Sequence, residues 1–70
     1  MEPYSWAHSI VKQMTDLRAD GSPYAFVYTV CPEWTQILRE LLASSGIAEA
    51  WIHSDNSCVM VRFPENAKHA

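Results

Sequence analysis

The sequence predicts an α+β fold, a two-layer sandwich with element order αβαββ and both helices on one face of a three-stranded sheet. Three observations carry that prediction. Two stretches repeat their apolar residues with the period of a helix, three shorter stretches are rich in aromatic and β-branched residues, and clusters of turn formers separate them. With 70 residues the chain is expected to be one compact domain spanning 1–70, and it contains no internal repeat, linker or low-complexity stretch. A domain this small buries only about 60% of the surface its unfolded chain exposes, so a second copy or a partner would add useful stability.

The strongest element is Cys31 to Gly46. Trp34, Ile37, Leu38, Leu41 and Leu42 form a continuous apolar stripe, Pro32 suits the first helical position, and Gly46 suits the left-handed position just past the end. A helix is therefore expected over 32–45, with Leu38 and Leu41 buried. A second amphipathic helix is expected over 4–19, where Trp6, Ala7, Ile10, Val11, Met14 and Leu17 recur on one side and Asp20-Gly21 ends the run.

Tyr24 to Val30 reads as a strand, with Tyr24, Phe26, Tyr28 and Val30 on one face and Ala25, Val27 and Thr29 on the other. Residues 48–53 and 58–63 flank Ser54-Asp55-Asn56-Ser57 and read as a β-hairpin with Asp55-Asn56 at its tip. That register puts Ala48, Ala50, Ile52, Val59, Val61 and Phe63 on one face. It opposes Glu49 to Arg62, Trp51 to Met60 and His53 to Cys58 on the other, and a slip of one residue would scramble both faces. The last strand is the most apolar and is expected in the middle of the sheet. Pro64 ends it, and 65–70 reads as a frayed polar tail.

Composition excludes more than it selects. A net charge of −3, with five scattered basic residues, makes nucleic acid an unlikely partner. No run approaches the roughly 18 apolar residues of a membrane span, and the N-terminal MEPYSWAHS lacks a basic segment leading into an apolar one. Only two cysteines are present, far apart. A cytoplasmic protein is expected.

Candidate chemistry is sparse. Cys31 stands between a strand and a helix N-terminus, where the helix dipole and free N–H groups favour a thiolate. The run VYTVCPEW and the helix after it resemble the active-site edge of glutaredoxin-like proteins, which implies a thiol redox role for Cys31. The resemblance covers about 20 residues, by the count of strand plus helix. Trp34 stands where the second cysteine of a dithiol motif would be, and no proline lies between the end of this helix and the hairpin. A structural cysteine at the helix cap is the preferred reading.

His8, Cys31, His53, Cys58 and His69 are metal-ligand types, but no Cys-x-x-Cys or His-x-x-x-His spacing occurs, so no metal or other cofactor is expected. Asp16, Asp20, Glu33, Glu40, Glu49 and Asp55 are dispersed and do not converge with a nucleophile. No enzyme is expected.

The aromatic residues point to a contact surface. If the helices cover the Val59 and Val61 face, the other face exposes Trp51, Met60, His53 and Cys58, with the Glu49–Arg62 pair at one end. Beside them lie either Tyr24, Phe26 and Tyr28 or the smaller Ala25 and Val27. Trp51, Met60, Glu49, Arg62, His53, Tyr24 and Tyr28 are the expected partner-binding residues. The function expected first is a non-enzymatic protein-interaction module, a regulator or a phage- or mobile-element-encoded inhibitor that blocks a larger host protein. The alternatives are the Cys31 redox protein and a single-strand nucleic-acid binder that stacks bases on its aromatic side chains. A homodimer through the sheet, with the Trp51 and Met60 face buried against its copy, is also expected.

Overall fold

A computed structural model describes residues 2–67. The elements are helix α1 (Pro3–Ala19), strand β1 (Tyr24–Tyr28), helix α2 (Pro32–Ser45), strands β2 (Glu49–Ile52) and β3 (Cys58–Arg62), and a single helical turn, α3 (Pro64–Ala67). The expected αβαββ order and two-layer architecture are therefore present, with α3 added.

Each helix boundary has a local cause. At the start of α1 the Glu2 carboxylate accepts the Tyr4 and Ser5 backbone N–H groups, and Pro3 fills the first position. At its end Gly21 (φ 89°) turns left-handed, so that the Gly21 N–H reaches the Arg18 carbonyl and the Ser22 N–H reaches the Leu17 carbonyl. Helix α2 begins with Pro32 after Cys31 and stops at Gly46 (φ 73°).

The sheet order is β1-β3-β2, which places β3 in the centre as expected from its apolar content. Both outer strands run antiparallel to β3. The hairpin register is the expected one: Glu49 pairs with Arg62, Ala50 with Val61, Trp51 with Met60 and Ile52 with Val59. On the other side of β3, Tyr24 pairs with Arg62, Ala25 with Val61, Phe26 with Met60, Val27 with Val59 and Tyr28 with Cys58.

The core lies between the helices and one face of this sheet. Ala7 and Met14 of α1, Leu38 and Leu42 of α2, Val27, Val59, Val61 and Phe63 are all buried. Trp6 and Trp34 bring the two helices together with ring centroids 5.2 Å apart. Thr35, the buried polar side chain of the core, donates from its hydroxyl to the Pro32 carbonyl at 2.6 Å and so brings no unsatisfied group inside.

Four expectations need correction. Residues 65–67 are not a frayed tail: they belong to α3, where Ala67 is buried and Asn66 donates to the carbonyls of Arg18 (2.9 Å) and Ser22 (3.0 Å). The remainder of that expected tail, 68–70, lies outside the described residues, as does His69. Strand β1 ends at Tyr28 instead of Val30: the Thr29 N–H makes a last ladder bond to the Ser57 carbonyl at the hairpin, and the chain then leaves the sheet toward α2, with Val30 96% exposed. The hairpin tip is a four-residue loop. The Asn56 N–H closes a turn onto the His53 carbonyl, and Asn56 takes the left-handed conformation (φ 62°). Finally, Leu42 is fully buried while Leu41 is only partly so, because the centre of the α2 stripe is rotated toward Leu38 and Leu42.

Candidate functional site

In an antiparallel ladder, directly opposed residues share a face, so the pairings above fix what the uncovered side of the sheet presents. Its rows are Tyr24–Arg62–Glu49, Phe26–Met60–Trp51 and Tyr28–Cys58–His53; the last is held by the His53 N–H on the Cys58 carbonyl at 2.9 Å. The open question about β1 is thereby resolved. Ala25 and Val27 point into the core, and the aromatic side chains Tyr24, Phe26 and Tyr28 point outward.

These outward residues remain accessible: Phe26 is 59% exposed, Tyr28 74% and Trp51 42%, with Met60 half-buried at the centre of the middle row. All seven residues expected to contact a partner, Tyr24, Tyr28, Glu49, Trp51, His53, Met60 and Arg62, thus come together on one surface. Phe26 was not singled out with them. Its place beside Met60 depends on the pairing of β1 with β3, which alternation within one strand does not reveal.

The two ends of the face differ in charge. At one end Arg62 Nη1 donates to Glu49 Oε1 at 3.1 Å, a solvent-exposed pair that aligns side chains and adds little stability. Arg62 is the only cationic side chain of the described residues in these rows, and its charge is compensated. At the other end the Asp55 carboxylate organises the hairpin loop. It accepts the Ser57 N–H (3.0 Å) and hydroxyl (2.7 Å) and lies 3.2 Å from His53 Nδ1.

Those bonds, first the Ser57 hydroxyl and N–H and then His53, lower the Asp55 pKa to about 2. A depressed carboxylate contributes stability that is present above its ordinary value and lost as pH falls through the folded value. The loop should therefore keep its Ser57 hydrogen bonds from neutral pH to about 4, and lose them near pH 2. The Ser57 amide shift, followed by NMR on acidification, is expected to titrate with a midpoint near 2, and Asp55→Asn should abolish that step.

Between the middle of the face and this loop lies an open depression of about 260 Å³. Phe26 and Tyr28 form one wall, Met60 and Cys58 the floor, and His53, Asp55 and Ser57 the rim. Cys58, expected to be exposed, is only 5% accessible although it belongs to the outer face, because it lies between Tyr28 and His53 in its row. The depression offers an apolar wall and a fixed negative charge, which suits a projecting side chain of a partner better than a small substrate in need of enclosure.

Cys31 lies elsewhere, partly buried at the start of α2, and both cysteines are free. The position that a second cysteine would take in a dithiol motif is Trp34, which packs on Trp6. Among the described residues no three His, Cys, Asp or Glu side chains group as a metal site, and no helix is long and apolar enough to cross a membrane. No protein-family model, curated protein or solved structure matches this chain.

Proposed function

We propose that this protein acts by binding and not by catalysis, as a small regulator or mobile-element-encoded inhibitor that occupies the surface of a larger protein. The observation that carries the reading is the uncovered sheet face, where Phe26, Met60 and Trp51 form an apolar row flanked by tyrosines and bounded by charge at both ends. Trp and Tyr dominate the energetics of protein contacts, and an apolar centre with a polar rim is the common anatomy of such surfaces. A single-strand nucleic-acid ligand would use the same rings, but it would also need free cations along the face. A protein partner does not. Two free thiols suit a reducing cytoplasm as the place of action.

The partner is expected to set an apolar patch on the middle row and a cationic side chain, Lys or Arg, beside Asp55. Trp51→Glu places a charge at the centre of the contact and should weaken binding at least 30-fold, the equivalent of a hot-spot loss of about 2 kcal/mol or more. Capture from host lysate with wild type, Trp51→Glu and the helix-surface control Gln36→Glu tests this. Proteins retained by wild type and Gln36→Glu should be absent from Trp51→Glu, whose melting curve should stay close to wild type. Capture of the same proteins by Trp51→Glu would refute the assignment of this face.

A further inference from the structure

The free edge of β1 has a property that neither the helices nor the outer face require. The Phe63 N–H bonds to the Pro23 carbonyl and the Thr29 N–H to the Ser57 carbonyl, so 23–63 and 29–57 are hydrogen-bonded pairs of the β1–β3 ladder. Such pairs alternate with non-bonded ones along an antiparallel ladder. Residues 25 and 27 therefore spend their backbone groups on β3. The N–H and C=O groups of Tyr24, Phe26 and Tyr28 point the other way, to the open edge. Among the described residues no loop or helix hydrogen-bonds to these groups.

Natural sheets shield such an edge with lysine, proline, a bulge or an inward charge. Strand β1, Tyr-Ala-Phe-Val-Tyr, carries none of them. The opposite edge belongs to β2, which is shorter and carries Glu49. The sequence of β1 is also nearly palindromic about Phe26, and the groups it directs outward, those of Tyr24, Phe26 and Tyr28, are symmetric about the same residue. A strand from an unrelated partner gives no reason for that symmetry. A second copy does.

We propose that two copies of this chain join through the β1 edge about a two-fold axis at Phe26, forming a continuous six-stranded antiparallel sheet. Tyr24 then pairs with Tyr28 of the second copy, Phe26 with Phe26, and Tyr28 with Tyr24. Each is a hydrogen-bonded pair, which accounts for every outward N–H and C=O of the strand. All these aromatic side chains lie on the uncovered face, so the two contact surfaces merge into one platform and both stay open. Burying the faces against each other, the arrangement expected from the sequence, would instead close them. One five-residue strand pair is small for an interface, so the association should be weak, with a Kd of roughly 100 μM.

Hydrogen exchange read by NMR at high and low protein concentration tests the edge directly. The amides of Tyr24, Phe26 and Tyr28 should be protected at millimolar protein and exchange faster on dilution, while Ala25 and Val27 stay protected throughout. Phe26 is exposed, so Phe26→Lys and Phe26→Glu leave the core intact. Each alone should weaken self-association at least tenfold by opposing like charges across the axis, and an equimolar mixture should restore it. Trp51→Glu should leave the dimer unchanged, since Trp51 lies two strands away from the axis on each side. Monomeric sedimentation at millimolar concentration would overturn the proposal. So would a dimer whose Tyr24, Phe26 and Tyr28 amides still exchange freely and which Trp51→Glu dissociates, the behaviour of face-to-face packing. Monomeric sedimentation leaves the lysate capture untouched, whereas a face-to-face dimer would mean that the outer face is occupied by a second copy.

Discussion

Replacing Leu42 by alanine is expected to lower the melting temperature by roughly 10 to 30 °C. Leu42 is completely buried among Leu38, Val59, Val61 and Phe63, the group on which both helices and the sheet converge. Truncating a buried leucine typically costs about 2 to 5 kcal/mol, from lost transfer free energy and from the cavity left behind. A 70-residue domain has roughly 4 to 10 kcal/mol of total stability, and about 1 kcal/mol corresponds to some 4 to 8 °C at this size. Leu41→Ala is the internal control, since Leu41 is only partly buried and should lose distinctly less. Thermal melts followed by circular dichroism check the pair. Equal shifts for the two variants would show that the core is not centred where Leu42 sits.

The second large effect is expected from residues that look dispensable in the sequence. Ending the chain after Phe63 removes three ties at once: the Asn66 amide from the carbonyls of Arg18 and Ser22, the Glu65 carboxylate from the Arg18 guanidinium, and buried Ala67. The Asn66 contribution dominates. The Arg18 carbonyl keeps a second donor in the Gly21 N–H, but no other donor reaches the Ser22 carbonyl among the described residues. A buried acceptor left without its partner destabilises by about 1 to 3 kcal/mol, and because Ser22 and Asn66 are half-buried the lower end, about 1 kcal/mol, applies. The ion pair is solvent-exposed; it raises the Arg18 pKa, chiefly through its hydrogen bond to Glu65, and adds little stability. Asn66→Ala alone should thus lower the melting temperature by roughly 4 to 8 °C. The truncation should lower it further. A frayed tail would leave both unchanged.

These two predictions also mark what the sequence made legible. Both long helices, all three strands and the hairpin register could be read because each rests on a local signal: a 3.6-residue or two-residue period, a proline or a glycine. The central place of β3 rested only on its apolar content. The α3 turn could not be read. Pro64-Glu65-Asn66-Ala67 is too short to show a period, and the role of Asn66 exists only because α1 ends beside it, 48 positions earlier. The orientation of β1 was open for a different reason, since both faces of Tyr-Ala-Phe-Val-Tyr are apolar. Packing decides it. Met14, Leu38, Leu42 and Phe63 fill the interlayer core with Val27 among them and Ala25 packed against it, while the three aromatic rings face outward. The contact surface was therefore readable as a set of residue types before it was readable as a surface.

The position of β3 has a consequence for how the chain is made. Strands β1 and β2 touch only β3 within the sheet, and β3 is the last of the three in sequence. As the polypeptide leaves the ribosome, both outer strands emerge with no strand to pair with, and α1 and α2 have no sheet to cover. The aromatic run of β1 is exposed throughout that interval. Contacts of such sequence separation slow folding and leave the nascent chain open to association with other chains or chaperones. The sheet can therefore close only once residues 58–62 are free, so a ribosome stalled before that point carries a chain without its central strand.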